Sequence, residues 1–177
     1  FGLLAGVIGK LYFPADSPFG SMMAALATFG VAFVARPLGG VVFGLYADRR
    51  GRKTALVAMI ALMALGTGMI AVLPTYAAIG IAAPALLLLA RLIQGFSAGG
   101  EFGGASALLI EFAPEGRRGY YGAFQMMAQA LAYAFGAGLA LGLTGALTPE
   151  TFGAWGWRIP FVCGLLIGPV GAYLRHR

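Results

Sequence analysis

The 177 residues are 60% apolar and only 10% charged, with a mean hydropathy of +0.86. A soluble domain of this size carries about 25% charged residues to solvate its surface, so lipid must be the solvent for much of this exterior. The net charge of +6 does not point to nucleic acid. The basic residues lie in short loops between long apolar runs, and no basic stripe interleaved with aromatic residues is there to follow a phosphate backbone.

A spanning helix needs about 20 mostly apolar residues. The opening run, residues 1–13, is too short for that. It begins Phe-Gly-Leu-Leu without a methionine or a charged leader and reads as the second half of a cut helix. The stretch Pro14-Ala-Asp-Ser-Pro18 then breaks it with turn chemistry. Helices are expected over 21–45, 54–73, 85–112, 119–147 and 158–174. The linkers include an uncharged connection between Pro74 and Pro84 and the loop 113–118. Cys163 stands alone in an apolar run and reads as a small core hydrophobe.

Charge orients these helices. Arg49, Arg50, Arg52, Lys53, Arg117, Arg118, Arg175 and Arg177 follow the second, fourth and sixth runs, whereas the opposite loops hold Asp16 and Glu150, with Lys10 and Arg158 at their margins. The positive-inside rule therefore puts loops 46–53 and 113–118 and the C-terminal tail in the cytoplasm. Tyr12, Tyr46, Trp155 and Trp157 fall at the expected interfaces and read as aromatic anchors. His176, between two arginines, reads as a solvated residue.

Within the fourth helix, Gly95, Gly99 and Gly103 recur every four residues, with Gly100 and Gly104 in a parallel row. That spacing lines one face, where a neighbouring backbone can approach; Gly40 and Gly44 do the same late in the second helix. Gly-Gly-Glu-Phe-Gly-Gly is not a phosphate loop, since no strand precedes it and no Gly-Lys-Ser/Thr follows. Intramembrane charges carry more information, because an Arg or Asp at mid-bilayer costs roughly 2.5–3.5 kcal/mol even on the lenient insertion scale. Arg36 and Glu101 lie at similar depth, roughly 15 Å from the cytoplasmic helix ends, so the two can meet near the midplane. Arg91 sits toward the outer side. A substrate or proton role for Arg36, Arg91 and Glu101 stands beside a structural Arg–Glu pair and, for Arg91, an interface anchor. Gln94, Gln125 and Gln129 are candidates for hydrogen bonds to a cavity or between helices, and Glu111 for a pair with a loop arginine. No nucleophile–base pair or metal-spaced His/Asp/Cys set is present, so neither an enzyme nor a metal site is expected.

The run Gly44-Leu-Tyr-Ala-Asp48-Arg49-Arg50-Gly51-Arg52-Lys53 resembles the signature between helices 2 and 3 of the major facilitator superfamily. Arg91-Leu-Ile-Gln94-Gly95 resembles the same superfamily's helix 4 signature. Ala35-Arg36-Pro37-Leu38-Gly39-Gly40, Gly99-Gly100-Glu101-Phe102-Gly103-Gly104-Ala105 and Trp157-Arg158-Ile159-Pro160-Phe161 look like its metabolite:proton symporter branch. The resemblance implies an all-α membrane protein, a six-transmembrane-helix bundle of two inverted three-helix repeats that forms the N-terminal half of a twelve-helix fold. It also implies a partner in the absent C-terminal six-helix bundle, and a bacterial inner-membrane location.

The implied activity is proton-coupled symport of a small organic acid or zwitterionic osmolyte by alternating access. Arg36 would attract a carboxylate, Glu101 would carry the proton, and Arg91 would tune that switch. Gly44, Asp48, Arg49, Gly51, Arg52 and Lys53 would form a gating loop, of which Arg49, Arg52 and Lys53 also meet anionic lipid. Arg50 stands at the signature's variable position and only sets topology. No cofactor is expected beyond the coupling proton. The alternative is a non-transporting six-helix membrane assembly or receptor-like module.

Overall fold

The computed structural model describes residues 2–165, which are mostly helical and contain no strand among them. A 3-10 turn, Gly2–Leu4, leads into α1 (Ala5–Tyr12). Then follow α2 (Pro18–Arg50), α3 (Arg52–Val72), the short α4 (Tyr76–Ile79), α5 (Ala82–Glu111) and α6 (Arg118–Ala146). The chain continues through α7 (Pro149–Ala154), a 3-10 turn at Gly156–Arg158, and α8 (Ile159–Gly164). Four helices, α2, α3, α5 and α6, are long and apolar enough to cross a membrane. The last expected helix, 158–174, is described only as far as residue 165, and Arg175, His176 and Arg177 lie outside the described residues.

The helix ends differ from those read in the sequence, each for a local reason. α2 starts at Pro18 rather than 21, because Ser17 caps it: its hydroxyl accepts the Gly20 N–H at 3.0 Å, and a proline is favoured in the first turn. At the other end α2 runs on through Tyr46–Arg50, so residues 46–53 are not a loop. Gly51 alone separates α2 from α3, and its φ of +86° is a left-handed value that a residue with a Cβ tolerates poorly. The Gly51 N–H still bonds to the Ala47 carbonyl at 2.8 Å, closing the last turn of α2. Pro84 does not delay α5, since a first-turn proline has no intrahelical N–H to lose.

α5 lies between α2 and α3, and its contact with α2 is the most extensive in the bundle. Glycine makes that approach possible. A methyl group at Gly95 or Gly99 would overlap the backbone carbonyl of Ala32 or Arg36, and one at Gly39 would overlap that of Phe96. The core is uneven along the bundle. Among the described residues, the larger cluster gathers Ile8, Tyr12, Ile70, Leu73, Leu87, Phe152 and Trp157 at the Leu73 end, while the smaller one, at the Gly51 end, consists of Phe43, Ala55 and Met59. α6 touches α5, α7 and α8 but buries none of its residues.

Two of the four expected interface anchors are instead interior. Tyr12 and Trp157 are fully buried and pack edge to face with ring centroids 5.8 Å apart. The Tyr12 hydroxyl donates to the Leu73 carbonyl at 2.8 Å. That carbonyl follows the end of α3, where helical acceptors lack intrahelical donors, and Arg158 Nη2 also donates to it at 3.1 Å. One acceptor thus ties α1 and the start of α8 to the end of α3. Trp155 and Tyr46 do remain exposed, and Cys163 is half-buried.

Candidate functional site

The residues singled out in the sequence fall into three groups. The first is a buried polar chain between α5 and α3. Arg91 and Gln94 stand one turn apart on α5 and are only 7% and 9% exposed. Arg91 Nη1 donates to Gln94 Oε1 at 2.7 Å, and Gln94 Nε2 donates across the helix interface to Thr67 Oγ1 at 2.8 Å. Arg91 is therefore an interior group and not an interface anchor. Below this chain Ser97 Oγ donates to the Met59 carbonyl at 2.6 Å, a second polar tie between the same helices. Buried hydrogen bonds of this kind between membrane helices are worth about 1 kcal/mol each.

The second group is Arg36 and Glu101, on the facing helices α2 and α5. Arg36 lies close enough to act electrostatically on Glu101, yet among the described residues no ion pair within 4.0 Å joins them. The expected meeting is one of proximity without direct contact. The guanidinium of Arg36 instead lies over the Phe33 ring, 4.0 Å from its centroid. That cation–π placement leaves the planar N–H fork open at its edge. Arg36 is exposed and Glu101 half-buried within the bundle. Gln125 and Gln129, on α6, are half-buried and exposed, and among the described residues no hydrogen bond joins either to the two groups above.

The third group surrounds Gly51. Gly44, Asp48, Arg49 and Arg50 occupy the last turns of α2, and Arg52 and Lys53 the first turn of α3; all are exposed. Arg52 Nη1 meets Glu111 Oε1 at 2.6 Å, so the pairing of Glu111 with an arginine read from the sequence is present. The pair links the start of α3 to the end of α5. Beside it a cavity of about 150 Å³ opens between α2, α3 and α5, lined by Gly40, Phe43, Gly44, Arg52, Met59 and Gly100. A larger cavity of about 380 Å³ lies at the Leu73 end between α1, α6 and α7, away from Arg36, Arg91 and Glu101.

Nothing in the residue pattern singled out Thr67 or Ser97. Both are ordinary polar residues in apolar runs, and only the pairing of α3 with α5 shows what they bond.

Ionisable groups set among long apolar helices, tied by hydrogen bonds between neighbouring spans, mark a multi-pass membrane protein of the transporter kind. The family model described as sugar (and other) transporter matches residues 11–176. The chain belongs to that family, within the major facilitator superfamily, whose members here are transporters and not enzymes. It is 44% identical over 176 residues to a proline/betaine transporter of Salmonella typhimurium, covering 99% of this chain and 35% of the relative. It is 44% identical over 177 residues to a citrate-proton symporter of Klebsiella pneumoniae, covering 100% of this chain and 40% of the relative. It is also 45% identical over 169 residues to the inner membrane metabolite transport protein YhjE of Escherichia coli, covering 96% and 38%. The chain thus spans well under half the length of these relatives, and their fold has twelve helices of which it is a fragment. No solved structure matches the chain.

Proposed function

We propose that the chain is the N-terminal half of a secondary transporter that carries a small organic acid or zwitterionic osmolyte together with protons by alternating access. The relatives' names support the class of cargo, since they include proline, betaine and citrate. The observation that carries the reading is the set of ionisable groups inside apolar spans: Arg36 on α2, with Arg91 and Glu101 on α5. Lipid penalises each such charge by a few kcal/mol, and a solute or proton pathway gives each a reason to be there. Arg36 presents its fork to a carboxylate. Glu101, under the influence of that guanidinium, takes up and releases the proton. Arg91 tunes the exchange from its place in the polar chain, and Gln125 and Gln129 add hydrogen bonds from α6.

The residues around Gly51 serve as a gate, with Asp48 engaging the second bundle when that side is shut and Arg49, Arg52 and Lys53 meeting anionic lipid. This end and the loop 113–118 face the cytoplasm of a bacterial inner membrane. The partners are the solute, the bilayer and the C-terminal six-helix bundle, with no nucleic acid and no cofactor beyond the proton. The test is Glu101→Gln in the full-length protein reconstituted in liposomes. Accumulation driven by an imposed pH gradient disappears while counterflow exchange of labelled solute persists. Unchanged accumulation overturns the reading. A panel of labelled organic acids and osmolytes in the same assay identifies the cargo.

A further inference from the structure

We infer that Thr67, on α3, is a positioning residue that fixes the Arg91 guanidinium, an inference that rests on the coupling role proposed for Arg91. The polarity of the chain follows from its ends. Arginine only donates, so the group of Gln94 facing Arg91 must be its carbonyl oxygen, which lies 2.7 Å from Nη1. The amide nitrogen then points the other way, and it reaches the Thr67 hydroxyl oxygen at 2.8 Å. Thr67 is accordingly the acceptor that holds the amide in this sense. Its own proton stays available to a carbonyl of the preceding turn, a common bond for helical threonine.

The neighbouring residue completes the seat. A Cβ at Gly66 would lie 2.7 Å from Gln94 Cγ and 3.0 Å from the Ala90 carbonyl. The bare glycine therefore lets the Gln94 stem lie flat against α3. Without the Thr67 acceptor, the amide NH2 has no partner on α3, so the Gln94 side chain that holds the guanidinium loses its tie across the helix interface and Arg91 loses its fixed position. Gln94 is on the same helix as Arg91 and moves with it; Thr67 is not. The orientation of Arg91 is thus referred to α3, and a slip of α3 against α5 reaches Arg91 through this hydroxyl.

The experiment compares Thr67→Val, Thr67→Ser and Arg91→Gln in the full-length protein in liposomes, reading pH-gradient-driven accumulation against counterflow of the same labelled solute. Valine keeps the branched shape and removes the acceptor. Thr67→Val lowers the ratio of accumulation to counterflow by about tenfold, the upper end for one lost hydrogen bond between neutral groups, and Thr67→Ser stays within about twofold of the native protein. If Arg91→Gln abolishes accumulation and Thr67→Val leaves the ratio intact, the inference falls and the coupling role of Arg91 stands. If Arg91→Gln itself leaves accumulation intact, the coupling role falls and takes the inference with it. Should Thr67→Val fail to assemble, Thr67→Ala removes the same acceptor without the second methyl. A retained ratio in Thr67→Ala, or failure of both variants to assemble, overturns the positioning role in favour of a structural one.

Discussion

A methyl group added at Gly99 would meet the Arg36 carbonyl, whereas at Gly103, one turn along, nothing lies within 4 Å. The four-residue spacing makes these glycines equivalent in the sequence; the crossing of α2 and α5 separates them. Gly99→Ala therefore forces two backbones apart and costs about 1–3 kcal/mol, as overpacking does. Gly103→Ala is neutral or stabilises by up to about 1 kcal/mol, because alanine is the better helix former. Melting temperatures of the two variants in detergent check this contrast, and equal shifts would contradict it. The charges at Arg36, Arg91 and Glu101 were legible in the sequence because their cost in lipid makes them conspicuous. Thr67 was not, since a threonine in a membrane helix satisfies itself on its own backbone as readily as it serves a neighbour. Tyr12 and Trp157 misled for a related reason: an amphipathic ring suits both a headgroup region and a buried carbonyl such as that of Leu73.

At the level of elements, the apolar runs located the long helices, and the charged residues at their ends obscured where they stop. Hydropathy ends the second helix where charges begin, but Asp48, Arg49 and Arg50 are compatible with helix, and α2 continues until glycine permits a reversal. That continuation puts Arg52 at the start of α3, within reach of Glu111 at the end of α5. The two side chains are 41% and 52% exposed, so water screens the pair and its contribution is no more than about 1 kcal/mol. Arg52→Gln and Glu111→Gln should each lower stability by that amount or less, with the difference fading at high salt. A double-mutant cycle in denaturant measures it. A coupling energy of about 3 kcal/mol, typical of a buried pair, would contradict the exposed geometry.

On the scale of the whole molecule, the two ends of the bundle are held differently. At the Leu73 end a large buried cluster and two hydrogen bonds to a single carbonyl join α1, α3 and α8. At the Gly51 end, among the described residues, three core residues, a small cavity and an exposed ion pair do the corresponding work. Local opening follows burial. Amides of α3 and α5 near Leu73 should then exchange with deuterium more slowly than those near Gly51 when the full-length protein is labelled in nanodiscs; the reverse order would contradict this account. The sequence foretold the all-helical membrane class and the family, both of which rest on patterns within single segments. It did not foretell this asymmetry, which comes from how distant segments share their ends. The junction at Gly51 has a mechanical consequence. With one residue between two membrane-length rods there is no slack, so a pull on the tip is felt by α2 and α3 together. A contact made by Asp48 or Arg49 has the leverage of a crank handle, turning a surface encounter into movement of two spans at once.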